Sequence, residues 1–130
     1  MSFWNTVKYF KPKEFESDDE PGSGLKMHPI LVKMLDDIRD KLKEPIVITS
    51  GYRTQAKNKF LTKTKSGAVE DSAHLKGYAV DLYIPNSNYR FKLVDLIYKT
   101  GFLRLGVSKK SFVHVDMDPD KPQNVFWTYD

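Results

Sequence analysis

Cysteine is absent from the 130-residue chain, and histidine occurs only three times. Without cysteine the fold contains neither a disulfide nor a zinc–thiolate site, so histidine and carboxylate side chains would have to hold any metal ion. Two of the three histidines, His74 and His114, lie within seven residues of an aspartate. They are the first candidates for a metal site.

Long apolar segments are also missing. No run approaches the roughly 20 residues that a membrane-spanning helix needs, and Met1 to Asn5 lack the basic segment and apolar stretch of a secretory signal. We therefore expect a protein made in the cytoplasm without a signal peptide and without membrane insertion. A substrate outside the membrane would then be reached only after release or delivery by another route.

The composition is that of a folded domain. Hydrophobic residues make up 40% of the chain and aromatic residues 13%, which indicates a single domain over residues 1–130, and we expect a monomer. The net charge of +4 suits an anionic partner, such as a nucleic acid or a bacterial cell wall, or simply a solvated surface. Because the basic stretch 57–65 carries no aromatic stacking motif, a nucleic-acid partner is not expected.

Hydrophobic periodicity divides the chain into helices and strands. Residues 1–28 read as an N-terminal arm and loop, and residues 62–73 as a surface loop. The pattern predicts helices over residues 29–43, 54–61 and 89–100, and strands over 46–50, 78–84, 102–107, 112–117 and 125–129. Since strands 102–107 and 112–117 are joined by a short connector, we predict an α+β fold with a small antiparallel sheet flanked by helices.

Strand parity selects the candidate ligands in the first half of the site. Along residues 78–84 the apolar set that includes Val80 and Leu82 must face the core, so Asp81 points to the opposite face. His74 lies an odd number of positions before Asp81, which would put it on the wrong face of a straight strand. Gly77 permits a sharp bend between them, and His74 is therefore predicted on a loop folded back over the strand.

The same parity places His114 and Asp116 on one face of the strand over residues 112–117. A divalent cation would take His74, Asp81 and His114 as ligands and keep its fourth position open. Asp116 would lie close by, as the general base toward an attacking water molecule. The alternative for Asp116 is a turn or salt-bridge partner.

A further candidate follows the strand over residues 46–50. Arg53 stands just after a glycine turn, where its guanidinium could contact a carboxylate or a carbonyl oxygen that gains negative charge. The alternative is a structural salt bridge with Glu70 or Asp71. Ser72 is expected to support the His74 loop by hydrogen bonding and is also assigned to substrate binding with Arg53.

Three ordered motifs carry a resemblance to a known family: Ser50-Gly51-Tyr52-Arg53, Ser72-x-His74-x-x-Gly77-x-Ala79-x-Asp81 and Val113-His114-Val115-Asp116. Over roughly residues 10–118 the chain resembles the zinc D-alanyl-D-alanine carboxypeptidases, which share their fold with the Hedgehog signalling domain. It is most similar to their small single-domain peptidoglycan peptidases of phage and bacterial type.

The resemblance implies one zinc ion per chain, held by His74, Asp81 and His114, with Arg53 contacting the substrate peptide. It implies hydrolysis of amide bonds in peptidoglycan stem peptides or cross-links, and a phage-type lytic enzyme made inside the host cell. Several branches carry an acidic residue three positions before the last histidine, where this chain has Ser111.

Two questions stay open at the level of sequence. The cut could be D,D or L,D, by a carboxypeptidase or an endopeptidase. The alternative function is a non-catalytic, metal-containing module that binds cell-wall peptide or a protein partner, because the fold alone does not guarantee peptidase activity.

Overall fold

The computed structural model describes residues 2–63 and 72–129. Its helices are α1 (Pro29–Leu42), α2 (Gln55–Lys63) and α3 (Ser87–Thr100), and its strands are β1 (Ile48–Ser50), β2 (Ala79–Tyr83), β3 (Arg104–Ser108), β4 (Phe112–Asp116) and β5 (Val125–Tyr129). Short 3-10 turns occupy Phe3–Thr6, Pro12–Phe15, Ser23–Lys26 and Ala73–Lys76. Each predicted helix and strand is present with slightly different ends. Most of the predicted surface loop, residues 64–71, lies outside the described residues.

The five strands form one sheet in the order β1-β2-β4-β3-β5. The neighbouring pairs are antiparallel except that β5 runs parallel to β3. The α+β class is thus confirmed, with a sheet that is mixed at its last strand. Asp116 at the end of β4 pairs with Arg104 at the start of β3, and Arg104 also pairs with Val125. Because the connector stays at this end of the sheet, β5 must follow the direction of β3.

The hydrophobic core lies between the sheet and the two long helices, α1 and α3, which pack against each other. The helices contribute a set of fully buried side chains, and the strands contribute alternate residues from one face. These residues are Leu31, Leu35, Ile38, Leu93 and Ile97 from the helices, and Val80, Leu82, Val113 and Val115 from the strands. The alternation that buries this face leaves the polar residues of the same strands on the other face.

The N-terminal arm adds Phe10 and Phe15 to this core and holds two loops of the sheet. Phe15 is fully buried, and its carbonyl oxygen accepts a hydrogen bond from the Tyr52 N–H at 2.8 Å. At the far end of the arm, the His28 N–H donates to the Gly77 carbonyl oxygen at 2.9 Å. The arm therefore fixes the loops on which Arg53 and His74 lie.

Within residues 2–63 and 72–129, no helix is both long enough and apolar enough to cross a bilayer.

Candidate metal centre

His74, Asp81 and His114 meet on the face of the sheet that α1 and α3 do not cover. One potential ligand atom from each residue lies within 4.8 Å of those of the other two. Asp81 and His114 are direct partners in the pairing of β2 with β4. Asp81 Oδ1 lies 2.8 Å from His114 Nδ1 and 3.4 Å from His74 Nε2. The structure therefore brings together the three residues selected by strand parity.

His74 reaches the centre from the Ala73–Lys76 turn, whose end is set by Gly77. Gly77 has φ +74°, and a Cβ added there would lie 2.3 Å from the Lys26 carbonyl oxygen, so the position accepts only glycine. The Ser72 hydroxyl oxygen accepts a hydrogen bond from the His74 backbone N–H at 3.2 Å. Ser72 thus supports the loop, and its assignment to substrate binding stays a prediction.

The tautomer of His74 is fixed by a backbone carbonyl. His74 Nδ1 lies 2.7 Å from the Gly51 oxygen, and because a carbonyl oxygen only accepts, Nδ1 must carry the proton. Its other ring nitrogen, Nε2, faces Asp81 and His114. This hydrogen bond to the far nitrogen is the usual support of a metal-ligating histidine.

Asp116 contacts the other side of His114. Its Oδ2 lies 2.7 Å from His114 Nε2, and its Oδ1 accepts hydrogen bonds from Arg104 Nε at 2.6 Å and from the Asp118 N–H at 3.1 Å. The side chain is almost completely buried. These contacts suit a carboxylate that orients His114. The role of Asp116 as general base stays a prediction.

The buried imidazole of His114 and the neighbouring carboxylates shift one another's pKa values. Burial alone would lower the pKa of His114, but hydrogen bonds to Asp116 and Asp81 outweigh it and raise this pKa to about 9. Burial would raise the pKa of Asp81, and the charge of His74 with the hydrogen bond from His114 holds it well below its ordinary value instead. Without a metal ion, both nitrogens of His114 therefore carry protons at neutral pH.

We expect the metal-free protein to lose stability as the pH rises from 7 to 9. The folded-state pKa of His114 is raised above the ordinary value of 6.5 to about 9, so its contribution is complete below pH 6.5 and disappears as the pH passes 9. The loss should be on the order of 2 kcal/mol, measured by urea unfolding in the presence of a chelator. The free energy of unfolding of His114→Gln should not change across this range. If that of the parent protein were also constant, the raised pKa of His114 would be contradicted.

Arg53 lies beside the three candidate ligands and is held by two neutral side chains. Its Nη1 donates to Asn58 Oδ1 at 2.9 Å and its Nη2 to Ser50 Oγ at 3.1 Å. Nη2 is also 4.0 Å from Asp81 Oδ2. Arg53 is 7% exposed and lines the cavity above the ligands. Its predicted position at the site is therefore observed.

The predicted alternative for Arg53, a salt bridge with Glu70 or Asp71, falls on residues outside the described part of the chain. Asn58 was missed as a partner because its position on α2 relative to the glycine turn depends on tertiary packing. No local signal in the sequence marked Asn58, because its burial, which makes a hydrogen-bonding partner necessary, is visible only in the structure.

An open cavity of about 880 Å³ lies over the candidate ligands. Its lining includes three side chains that the sequence reasoning did not assign to the site: Arg104 from β3 and Trp127 and Tyr129 from β5. The Arg104 guanidinium lies 5.1 Å from the centroid of the Trp127 ring. The alternation of residues 125–129 was the available signal, but it did not reveal which face of the sheet they join.

The donor set of this centre fits zinc. Two imidazole nitrogens and one carboxylate oxygen are typical of zinc sites that keep one position open for substrate or water. The far nitrogens of His74 and His114 also donate the hydrogen bonds that such ligands normally make, to the Gly51 carbonyl oxygen and the Asp116 carboxylate respectively. These three residues therefore fit a zinc ion, with a donor group for each of three positions and a supporting hydrogen bond behind each imidazole.

Comparisons with known proteins agree with this geometry. The model of the family described as peptidase M15 matches residues 8–116. Among solved structures, the Serratia marcescens L-Ala D-Glu endopeptidase ChiX is similar in fold, with a TM-score of 0.55 and 18% identity over 71% of this chain and 80% of that one. No protein with a curated description matches the chain. The match over most of the chain shows that the protein belongs to the peptidase M15 family.

Proposed function

We infer that the protein is a zinc-dependent peptidase that hydrolyses an amide bond in the peptides of peptidoglycan. The observation that carries this proposal is the group of His74, Asp81 and His114, with ligand atoms within 4.8 Å of one another, at the base of an open cavity that Arg53 also lines. Membership of a peptidase family supports the reaction type.

Zinc bound by these three residues would act as a Lewis acid and bring the pKa of a water molecule toward neutrality. The protein's own part is to orient the ligands and the substrate. Gly51 and Asp116 fix the two imidazoles from behind. Because they are fixed before substrate arrives, little reorganisation is needed during the reaction.

Arg53 is the residue best suited to receive the peptide. Two of its five N–H donors are held by Asn58 and Ser50, which leaves others for the substrate. Burial lowers the pKa of Arg53, and the charge of Asp81 opposes this, so the guanidinium stays charged at neutral pH. We propose that it donates to the carbonyl oxygen of the cleaved bond or to a substrate carboxylate.

Asp116→Asn should show whether this carboxylate orients His114 or acts as the general base. If Asp116 mainly orients His114, zinc affinity falls by about 10- to 100-fold, and turnover at saturating zinc stays within about tenfold of the parent. This is the result we expect, because both carboxylate oxygens already have partners. Zinc titration and steady-state kinetics measure the two quantities, with Asp95→Asn, at an exposed position on α3 outside the cavity, as matched control. Unchanged zinc affinity with turnover reduced more than about 100-fold would establish the general base instead.

We propose peptidoglycan as the substrate because the protein of similar fold is an L-Ala D-Glu endopeptidase. The decisive experiment is to incubate the zinc-loaded protein with purified peptidoglycan and to identify released fragments by mass spectrometry. We expect chelator-sensitive release, and the L-Ala–D-Glu bond is the first to examine in the spectra. Binding to peptidoglycan without release of fragments would overturn the proposal in favour of a non-catalytic module.

A further inference from the structure

The C-terminal strand β5 supplies one wall of the cavity. Its residues are alternately half-buried and exposed, with Val125, Trp127 and Tyr129 on the half-buried side. Trp127 and Tyr129 both line the cavity. The family match ends at residue 116, so neither aromatic residue is part of the matched region.

Gly106 makes room for these two rings. It is paired with His114 on one side and with Trp127 on the other. A Cβ added to Gly106 would lie 2.6 Å from Trp127 Nε1 and 2.7 Å from Tyr129 Cε2. The rings therefore lie across the backbone of β3, toward the candidate ligand His114 on β4. The Trp127 ring centroid is 5.6 Å from that of His114.

The Tyr129 ring is held between two other aromatic side chains. Its centroid lies 5.0 Å from that of Phe112 and 6.2 Å from that of Trp127. Such contacts fix the plane of the ring and so the direction of its hydroxyl group. The position of the hydroxyl in the cavity is consequently set by the fold before any substrate is bound.

The surroundings of the Tyr129 hydroxyl favour hydrogen-bond donation. Burial raises the pKa of Tyr129, an interaction with Trp127 opposes the rise, and the carboxylates of Asp81 and Asp116 add to it. The phenol thus keeps its proton at neutral pH. The Trp127 indole N–H can only donate, so its interaction with Tyr129 uses the phenol oxygen and not the hydroxyl proton. Tyr129 and Arg53 line the same cavity, so both can present donors to one bound peptide.

We propose that Tyr129 is a catalytic residue whose hydroxyl donates a hydrogen bond to the carbonyl oxygen of the cleaved peptide bond, beside Arg53. Trp127 and Gly106 are positioning residues that hold this hydroxyl in place. The proposal rests on the peptidase function inferred above. Two preorganised donors at an oxygen that gains negative charge would stabilise the transition state more than the bound substrate.

Tyr129→Phe tests the proposal, because it removes the hydroxyl and keeps the packed ring. We expect kcat to fall by about 10- to 100-fold with little change in KM. Zinc content and melting temperature should equal those of the parent. A phosphinate analogue of whichever bond the mass spectra identify should lose affinity by a similar factor, since it mimics the charged transition state. Tyr98→Phe, at an exposed position on α3, is the matched control.

The outcomes separate this proposal from the proposed function. If the parent cleaves peptidoglycan and Tyr129→Phe retains kcat within about twofold, the role of Tyr129 is wrong and the peptidase function stands. If the zinc-loaded parent releases no fragments, the peptidase function is wrong and this proposal fails with it. Gly106→Ala provides a second measurement, because a displaced ring should lower kcat while zinc is still bound.

Discussion

Asp81→Asn is expected to abolish both zinc binding and peptide hydrolysis. Asp81 is the anionic member of the three candidate ligands, and its Oδ1 lies close to both imidazoles, at 2.8 Å from His114 and 3.4 Å from His74. An amide oxygen in its place carries no net charge, so the centre would lose its only negative ligand. We expect zinc content to fall from about one per chain to near zero, and turnover to fall by about 10³-fold or more.

The matched control for this change is Asp95→Asn on α3, where the aspartate is exposed and pairs with Lys99. Both substitutions replace one carboxylate by an isosteric amide, and only Asp81 lies in the cavity. Metal analysis after dialysis and a fragment-release assay give the two readouts. If Asp81→Asn kept a full complement of zinc, the ligand assignment would be wrong. If the parent protein still hydrolysed peptide at its full rate after treatment with a chelator, the metal-dependent mechanism would be wrong.

Arg53→Lys is expected to reduce kcat by about 100-fold while zinc remains bound. Lysine keeps the positive charge but loses the planar set of donors that Arg53 uses to hold Asn58 and Ser50 at the same time. The lysine ammonium group cannot contact both partners and the substrate in one fixed geometry, so it is not preorganised for the reaction. The defect should therefore appear in kcat more than in zinc affinity, and steady-state kinetics with zinc titration would measure both.

Arg39→Lys on α1 is a matched control, since Arg39 packs on the Tyr9 ring at 4.6 Å and does not line the cavity. The opposite result would show that Arg53 has only a structural role. Arg53→Lys would then lower the melting temperature without changing kcat for the protein that remains folded.

Strand parity was enough to predict that the candidate ligands Asp81 and His114 lie on the polar face of the sheet, because it depends only on the local alternation of side chains. Val80 and Leu82 had to face the core, so Asp81 could not, and the bend at Gly77 resolved the position of His74. The helices and strands followed from periodicity in the same way. Local patterns therefore predicted the positions of His74, Asp81 and His114.

Features that depend on pairing partners were not predictable from local patterns. The parallel pairing of β5 with β3 brings Trp127 beside Gly106, and no short-range signal specifies which sheet edge a final strand joins. Parity also placed Asp116 on the same face as His114 without showing whether it points into the cavity or toward the imidazole. The observed contact with His114 Nε2 depends on Arg104, which holds the other carboxylate oxygen.

The missing side chain at Gly106 also restricts how this site can diverge among related proteins. A larger residue there would meet Trp127 and Tyr129 at less than 3 Å, so it becomes acceptable only if those aromatic rings are lost or redirected. Positions 106, 127 and 129 can therefore vary only together, although they are far apart in the chain. Covariation among these three positions would separate lineages that keep the aromatic wall from lineages that have given their cavity a different shape.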